Sequence, residues 1–185
     1  MRKNYYIMQR AAVIFLLTLL ITYTADGQMP GEKGILILMT DTATGKYGYR
    51  NEAGKIEIPF GKYSYCFTDT FRKYAIVLDS GRGFVAIDRQ FRVLYDVFIF
   101  DNGPDYPSDG LFRIKSDSKI GYADENNGKI AVKPQFACGY PFENGVAKVA
   151  LHCETKKSGE HSTWVSDEWF YINKTGARVD PSTKR

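Results

Sequence analysis

Short runs of alternating apolar and polar residues fill most of this chain, and each run ends in a turn signal. The pattern is clearest between Lys119 and Leu151. It opens Ile120-Gly121-Tyr122-Ala123-Asp124, turns at Asn127-Gly128 and climbs from Lys129 to Pro134. An aromatic link follows, from Gln135-Phe136 to Tyr140-Pro141-Phe142, then a turn at Asn144-Gly145 and a last run from Val146 to Leu151. Runs of this length with period two, bounded by Asn-Gly pairs that tolerate positive φ, predict strands joined by turns. Strand, tight turn, strand, aromatic link, strand is one β-unit.

Weaker copies flank it. Lys46-Tyr47-Gly48-Tyr49-Arg50-Asn51 opens one, and Ala53 to Pro59 mirrors Asn127 to Pro134 with one residue fewer after the Gly. Tyr65-Cys66-Phe67 aligns with Tyr140-Pro141-Phe142, and Tyr74 to Leu78 closes that copy. A more worn copy runs through Val85-Ala86-Ile87-Asp88, with Phe91 where a turn Gly is expected, and Asp109 to Ile114 lines up on Asn144 to Val149. A partial copy spans Phe170 to Val179. Equivalent positions 48, 85, 121 and 170 are 37, 36 and 49 residues apart. A period near 36 is a repeat signature, and such arrays bury their core by stacking neighbours. The long third step comes from Glu154 to Asp167, read as a polar insertion in one strand-to-strand connection. Gly34 to Thr40 is apolar on both faces, which predicts a strand covered on both sides or one at the array's centre. The expected fold is therefore all-β, with antiparallel three-strand units in about three and a half stacked repeats over residues 28–179. A closed, barrel-like arrangement is the rival. A frayed tail is expected at 180–185.

Composition changes this picture little. Aromatic residues at 15% and 17 glycines suit strands and turns. The amino terminus changes it more. Arg2, Lys3 and Arg10 precede an apolar run from Ala11 to about Thr22, and Ala25-Asp26-Gly27 places small residues where a signal peptidase reads. The run is short of the roughly 20 residues that span a bilayer. Residues 1–27 are thus expected to be a signal peptide, with Gln28 as the first mature residue and no stable membrane span after cleavage. Their removal takes the 25 basic and 21 acidic residues to 22 and 20. That balance gives no concentrated basic face for nucleic acid.

The Ile120–Val149 unit resembles the WG-repeat family. That family's unit reads approximately aromatic-Gly-Tyr-Ile-Asp, a turn Gly, Lys, an aliphatic run ending at Pro, an aromatic stretch with Phe, then Gly and a final apolar strand. Tyr47 to Val77 fits as well. The departures are plain: Trp169 alone supplies the Trp and Phe170 follows it, while Tyr47, Phe84 and Ile120 fill that position elsewhere. The resemblance implies exported bacterial β-repeat proteins with an interaction role and no catalytic residues.

The remaining chemistry is sparse. Cys66, Cys138 and Cys153 would meet oxidising conditions after export. Cys138 and Cys153 flank the same closing strand and form a candidate disulfide; the plainer reading is three buried small apolar residues. His152, Cys153 and His161 lack a fourth zinc ligand at suitable spacing. Asp101, Asp105 and Asp109, like Asp124-Glu125-Asn126, fit turns better than a calcium loop. Ser158 and His161 come without the Gly-x-Ser-x-Gly elbow of a hydrolase. No cofactor, metal or catalytic residue is expected. Exposed aromatics are the last candidates, Trp164 and Tyr106 foremost, with Tyr63, Tyr65 and Tyr140 behind them and the repeat-matched Tyr140 and Phe142 read as core. The expected function is a non-enzymatic interaction module in the periplasm or outside the cell, its partner a protein. A carbohydrate-binding domain taking an envelope glycan is the rival, and a hydrolase a weaker one.

Overall fold

The computed structural model describes residues 34–159 and 161–180. The expected signal peptide and residues 181–185 of the expected tail lie outside them. The described chain is all-β, and its strands pair antiparallel throughout. No helix among the described residues is long and apolar enough to cross a membrane, which says nothing of a strand-built barrel.

β1 (Leu36–Asp41), β2 (Lys46–Asn51) and β3 (Ile56–Ile58) form a meander. β4 (Tyr65–Cys66) and β5 (Thr70–Phe71) lead on, β5 pairing back to β1 and β4 forward to β6 (Tyr74–Asp79). β6, β7 (Gly83–Asp88) and β8 (Val93–Val97) repeat the meander, and a short hairpin of β9 (Ile99–Phe100) and β10 (Gly103–Pro104) follows. β11 (Leu111–Ser116), β12 (Lys119–Asp124) and β13 (Ile130–Phe136) meander again, and β11 pairs with β8 to fuse the two sets into a seven-stranded sheet. β14 (Cys138–Gly139) and β15 (Val146–Ala150) begin the last four-stranded sheet. A separate hairpin intervenes, β16 (Glu154–Ser158) with β17 (His161–Val165), before β18 (Phe170–Asn173) and β19 (Arg178–Val179) complete it in the order β14-β15-β18-β19.

The same turn chemistry recurs at the end of four strands. Asn51, Asp88 and Asn173 each turn a side-chain oxygen onto backbone amides up to four residues ahead, at 2.9–3.0 Å. These Asx turns satisfy donors that the hairpin leaves unpaired. Asp124 does the same for Asn126 and Asn127, but its turn is one residue longer and closes on Lys129. The expected tight Asn127-Gly128 turn is therefore a wider, Asp124-capped loop. Phe91 holds the left-handed conformation, with φ 61°, that Gly54 and Gly176 hold in the matching turns. The Asp109-Gly110 and Asn144-Gly145 turns are two-residue turns with both residues at positive φ, 54° and 82° in one, 54° and 84° in the other.

Two glycines admit close backbone crossings. A Cβ built on Gly121 would lie 2.5 Å from the Pro134 nitrogen and the Val132 oxygen, where β13 bulges across β12; one on Gly48 would lie 2.7 Å from the Ile58 oxygen. Val85 occupies the matching place in β7, where it pairs with Asp96 of β8, and the ladder shifts register one residue on, between Ala86 and Ile87.

Three buried clusters form the interior. In the first, Phe71 stands edge-on to Tyr49 at 5.6 Å; in the second, Phe142 stands edge-on to Tyr122 at 4.8 Å. Both tyrosines donate to a main-chain oxygen, Tyr49 to Thr68 at 2.6 Å and Tyr122 to Tyr140 at 2.7 Å. Phe71 thus fills Phe142's place. The expected partner Phe67 is 39% exposed, because the connection between the aromatic link and the buried ring is longer there. β1 is covered on one face only: Leu36 is buried and Leu38 packs on the core, while Ile37 and Met39 are half-exposed. Clamps join successive meanders. Tyr74 and Tyr95 donate to the main chain of the Asp124 turn, at Glu125 (2.8 Å) and Gly128 (2.7 Å).

Candidate functional site

The expected polar loop at Glu154–Asp167 is instead the β16–β17 hairpin, and it is pinned at its root. Cys138 and Cys153 form a disulfide with Cα atoms 6.2 Å apart, so Cys153 is neither a free thiol nor a zinc ligand. The Ser166 hydroxyl donates to the His152 oxygen at 2.6 Å and closes the other leg. The pairing of Thr155 with Trp164 then brings the indole back over the body of the protein. It stands edge-on to Phe98 at 5.9 Å and to Tyr140 at 5.5 Å, and Tyr140 contacts Trp169 at 5.5 Å. Phe98, Trp164, Tyr140 and Trp169 make one continuous shelf of rings. Trp164 is half-buried, and Tyr140, expected in the core, is 38% exposed; only Phe142 of that pair is interior.

The shelf rests on charge at both ends. Beneath Phe98 lies the Arg113 guanidinium, 4.2 Å from the ring centroid. Arg113 is itself buried, and its Nε and Nη2 bond Asp105 at 3.0 and 2.5 Å while its backbone amide bonds the same carboxylate at 2.8 Å. A desolvated pair of this kind is tolerated only when nearly every donor and acceptor is used; Nη1 also reaches the Gly139 oxygen at 3.3 Å. At the other end the Lys148 ammonium lies 4.9 Å from the Trp169 ring centroid, within cation–π range. Between them Tyr140 is fixed by its backbone, its amide donating to the Lys148 oxygen at 3.0 Å. The Tyr122 hydroxyl that bonds the Tyr140 oxygen is pushed up from its ordinary pKa by burial, with Arg113 nearby pulling the other way, so it stays a proton donor.

The other predicted residues scatter. Tyr106 is 68% exposed and takes no part in the ring contacts of the shelf. Tyr63 is buried. Tyr65 belongs to a second row of rings, Tyr47–Tyr65–Phe67–Phe84, at successive spacings of 4.5, 4.6 and 5.4 Å. Cys66 is a free, buried thiol, pushed up to about 11 by burial. Asp105 is spent on Arg113, the Asp109 carboxylate accepts from the Gly145 amide at 2.5 Å, and Asp124 caps its own turn. Among the described residues no three His, Cys, Asp or Glu side chains converge on a metal position. The side chains of Ser158 and His161 lie outside the described part.

Sequence reasoning missed Phe98, Arg113 and Lys148, and read Asp105 as a turn residue. One signal was present: Arg113 interrupts the apolar run Leu111-Phe112-Arg113-Ile114, and a charge inside a two-sided apolar strand demands a partner. Comparison with protein-family models, curated proteins and solved structures returns no significant match.

Proposed function

We propose that this chain is an exported, non-enzymatic binding module, an array of about three and a half WG-like repeats over residues 28–179 that presents the Phe98–Trp164–Tyr140–Trp169 shelf to a partner. The shelf is the observation that carries the reading. Aromatic and arginine side chains in a rigid setting supply contact area at little entropic cost, which is why they dominate binding hot spots. Here the rings are half-exposed, while a disulfide, a buried ion pair and a tyrosine hydrogen bond hold them in place. The repeat half of the reading draws on the four Asx-capped strand ends and on the backbone crossings at Gly48 and Gly121. The export half draws on the basic, apolar and small-residue order of residues 1–27.

The test is capture from native envelope material by the wild-type chain, by Trp164→Ala and by Phe67→Ala from the other aromatic row. Capture is expected to fail with Trp164→Ala and persist with Phe67→Ala. Equal capture by all three overturns the shelf as the docking surface.

A further inference from the structure

A cleft of about 580 Å³ opens beside the shelf on the outer face of the last sheet, a size that suits a small-molecule ligand. Its walls include the rings of Tyr140 and Tyr171, with Lys148, Glu143, Asn144 and Ser108 around them. β15 and β18 build it by simple alternation. Ala147, Val149 and Ile172 point inward to the buried cluster, so Lys148 and its cross-strand partner Tyr171 point out. We propose that this cleft binds a carboxylated saccharide, an inference that rests on the binding-module reading above and names its ligand.

Three observations select that chemistry. First, Lys148 has no carboxylate within ion-pair distance among the described residues, and its ammonium lies over the Trp169 ring. An ammonium held over an indole, with a carboxylate lining the same cleft that it does not pair with, is free to take an anion from a ligand. Second, the rest of the lining mixes acceptors and donors: the Glu143 carboxylate, the Asn144 amide and the Tyr171 hydroxyl, with the Ser108 oxygen left to accept because its proton goes to the Phe142 carbonyl at 2.6 Å. Sugar hydroxyls donate and accept together, and the C–H faces of a pyranose suit the tyrosine rings. Third, a peptide cannot enter by strand addition. β15 lies between β14 and β18, and β18 between β15 and β19, so both main-chain ladders beneath the cleft are filled.

The experiment is calorimetric titration of the full chain with tetragalacturonate, its methyl ester and a neutral tetrasaccharide of the same linkage. The acid is expected to bind, and the ester and the neutral sugar roughly tenfold or more weaker, the scale of a hydrogen bond to a charged group. Lys148→Met, its fold checked by circular dichroism, is expected to abolish the preference for the acid over its ester. Tyr171→Ala is expected to weaken all three. Equal affinity for acid and ester overturns the assignment of the carboxylate to Lys148. If no saccharide binds while Trp164-dependent envelope capture persists, the ligand class is overturned and the binding-module reading stands. If both fail with the wild-type chain, both are overturned. Displacement of captured protein by a peptide, with saccharides inert, likewise overturns the saccharide.

Discussion

The two rows of rings are alike in their spacing and differ in their support. Tyr47, Tyr65, Phe67 and Phe84 run along the amino-terminal meanders, and Phe98, Trp164, Tyr140 and Trp169 along the carboxy-terminal ones. The first row has no tryptophan and, among the described residues, no disulfide and no cation over any of its rings. The second has two tryptophans, an inserted hairpin, a disulfide at its root, Arg113 under Phe98 and Lys148 over Trp169. The difference shows what a frame of antiparallel meanders supplies and what it leaves open. Strands and aromatic links lay rings side by side as a matter of course. Holding such rings at a fixed height, with charge beside them, took residues that the frame does not require.

The sharpest way to break the comparison is at its foundation. Asp105→Ala leaves the Arg113 guanidinium buried without its counter-ion, and a loss of about 3–5 kcal/mol in urea unfolding is expected. A loss no larger than a surface pair's, about 1 kcal/mol or less, would mean that the shelf does not depend on the pair. Next comes the disulfide. Cys138 and Cys153 are 15 residues apart, and opening a loop of that size is expected to cost about 3 kcal/mol, read as a lower unfolding midpoint for Cys153→Ser. The first row should not register it. With its thiol raised to about 11 and buried, Cys66 is expected to remain unalkylated at pH 8 in reduced but folded protein, while the partly exposed Cys153 reacts. Prompt alkylation of Cys66 would show that the amino-terminal meanders open with the hairpin. The smallest effect is shared by both halves. Gly121→Val and Gly48→Val each drive a side chain into a crossing backbone, and each is expected to lose about 1–3 kcal/mol of stability by denaturant titration. A loss at one glycine alone would separate the two crossings.

Much of the frame was legible because it is local. Period-two runs, Asn-Gly and Asp-Gly turns and strand-end Asn or Asp are written within a few residues of each other, and the strands and two-residue turns follow them. The site was less legible because its parts meet through space. Asp105 follows a hairpin with strands of only two residues, too short to show alternation, and meets Arg113 across the Asp109-Gly110 turn. The β16–β17 hairpin has polar residues on both faces of Glu154-Thr155-Lys156-Lys157, so no period separates it from a loop; Trp164 and the disulfide anchor it instead. Phe67 was matched to Phe142 by its spacing from a tyrosine. The extra residues before Phe71 moved the buried ring further along, and only packing against Tyr49 reveals it.

The clamps from Tyr74 and Tyr95 impose an order in time. A chain emerging amino terminus first, from a ribosome or through a membrane pore, presents β6, β7 and β8 before the Asp124 turn exists. Until Gly128 has cleared the exit, the Tyr95 hydroxyl, buried in the finished protein, has no carbonyl to donate to, and Tyr74 lacks the Glu125 oxygen. Leaving such a donor unmet in the interior is costly, so the middle of the molecule is held unfinished until its successor arrives. Synthesis arrested before that turn yields a fragment whose second meander cannot close its own interior.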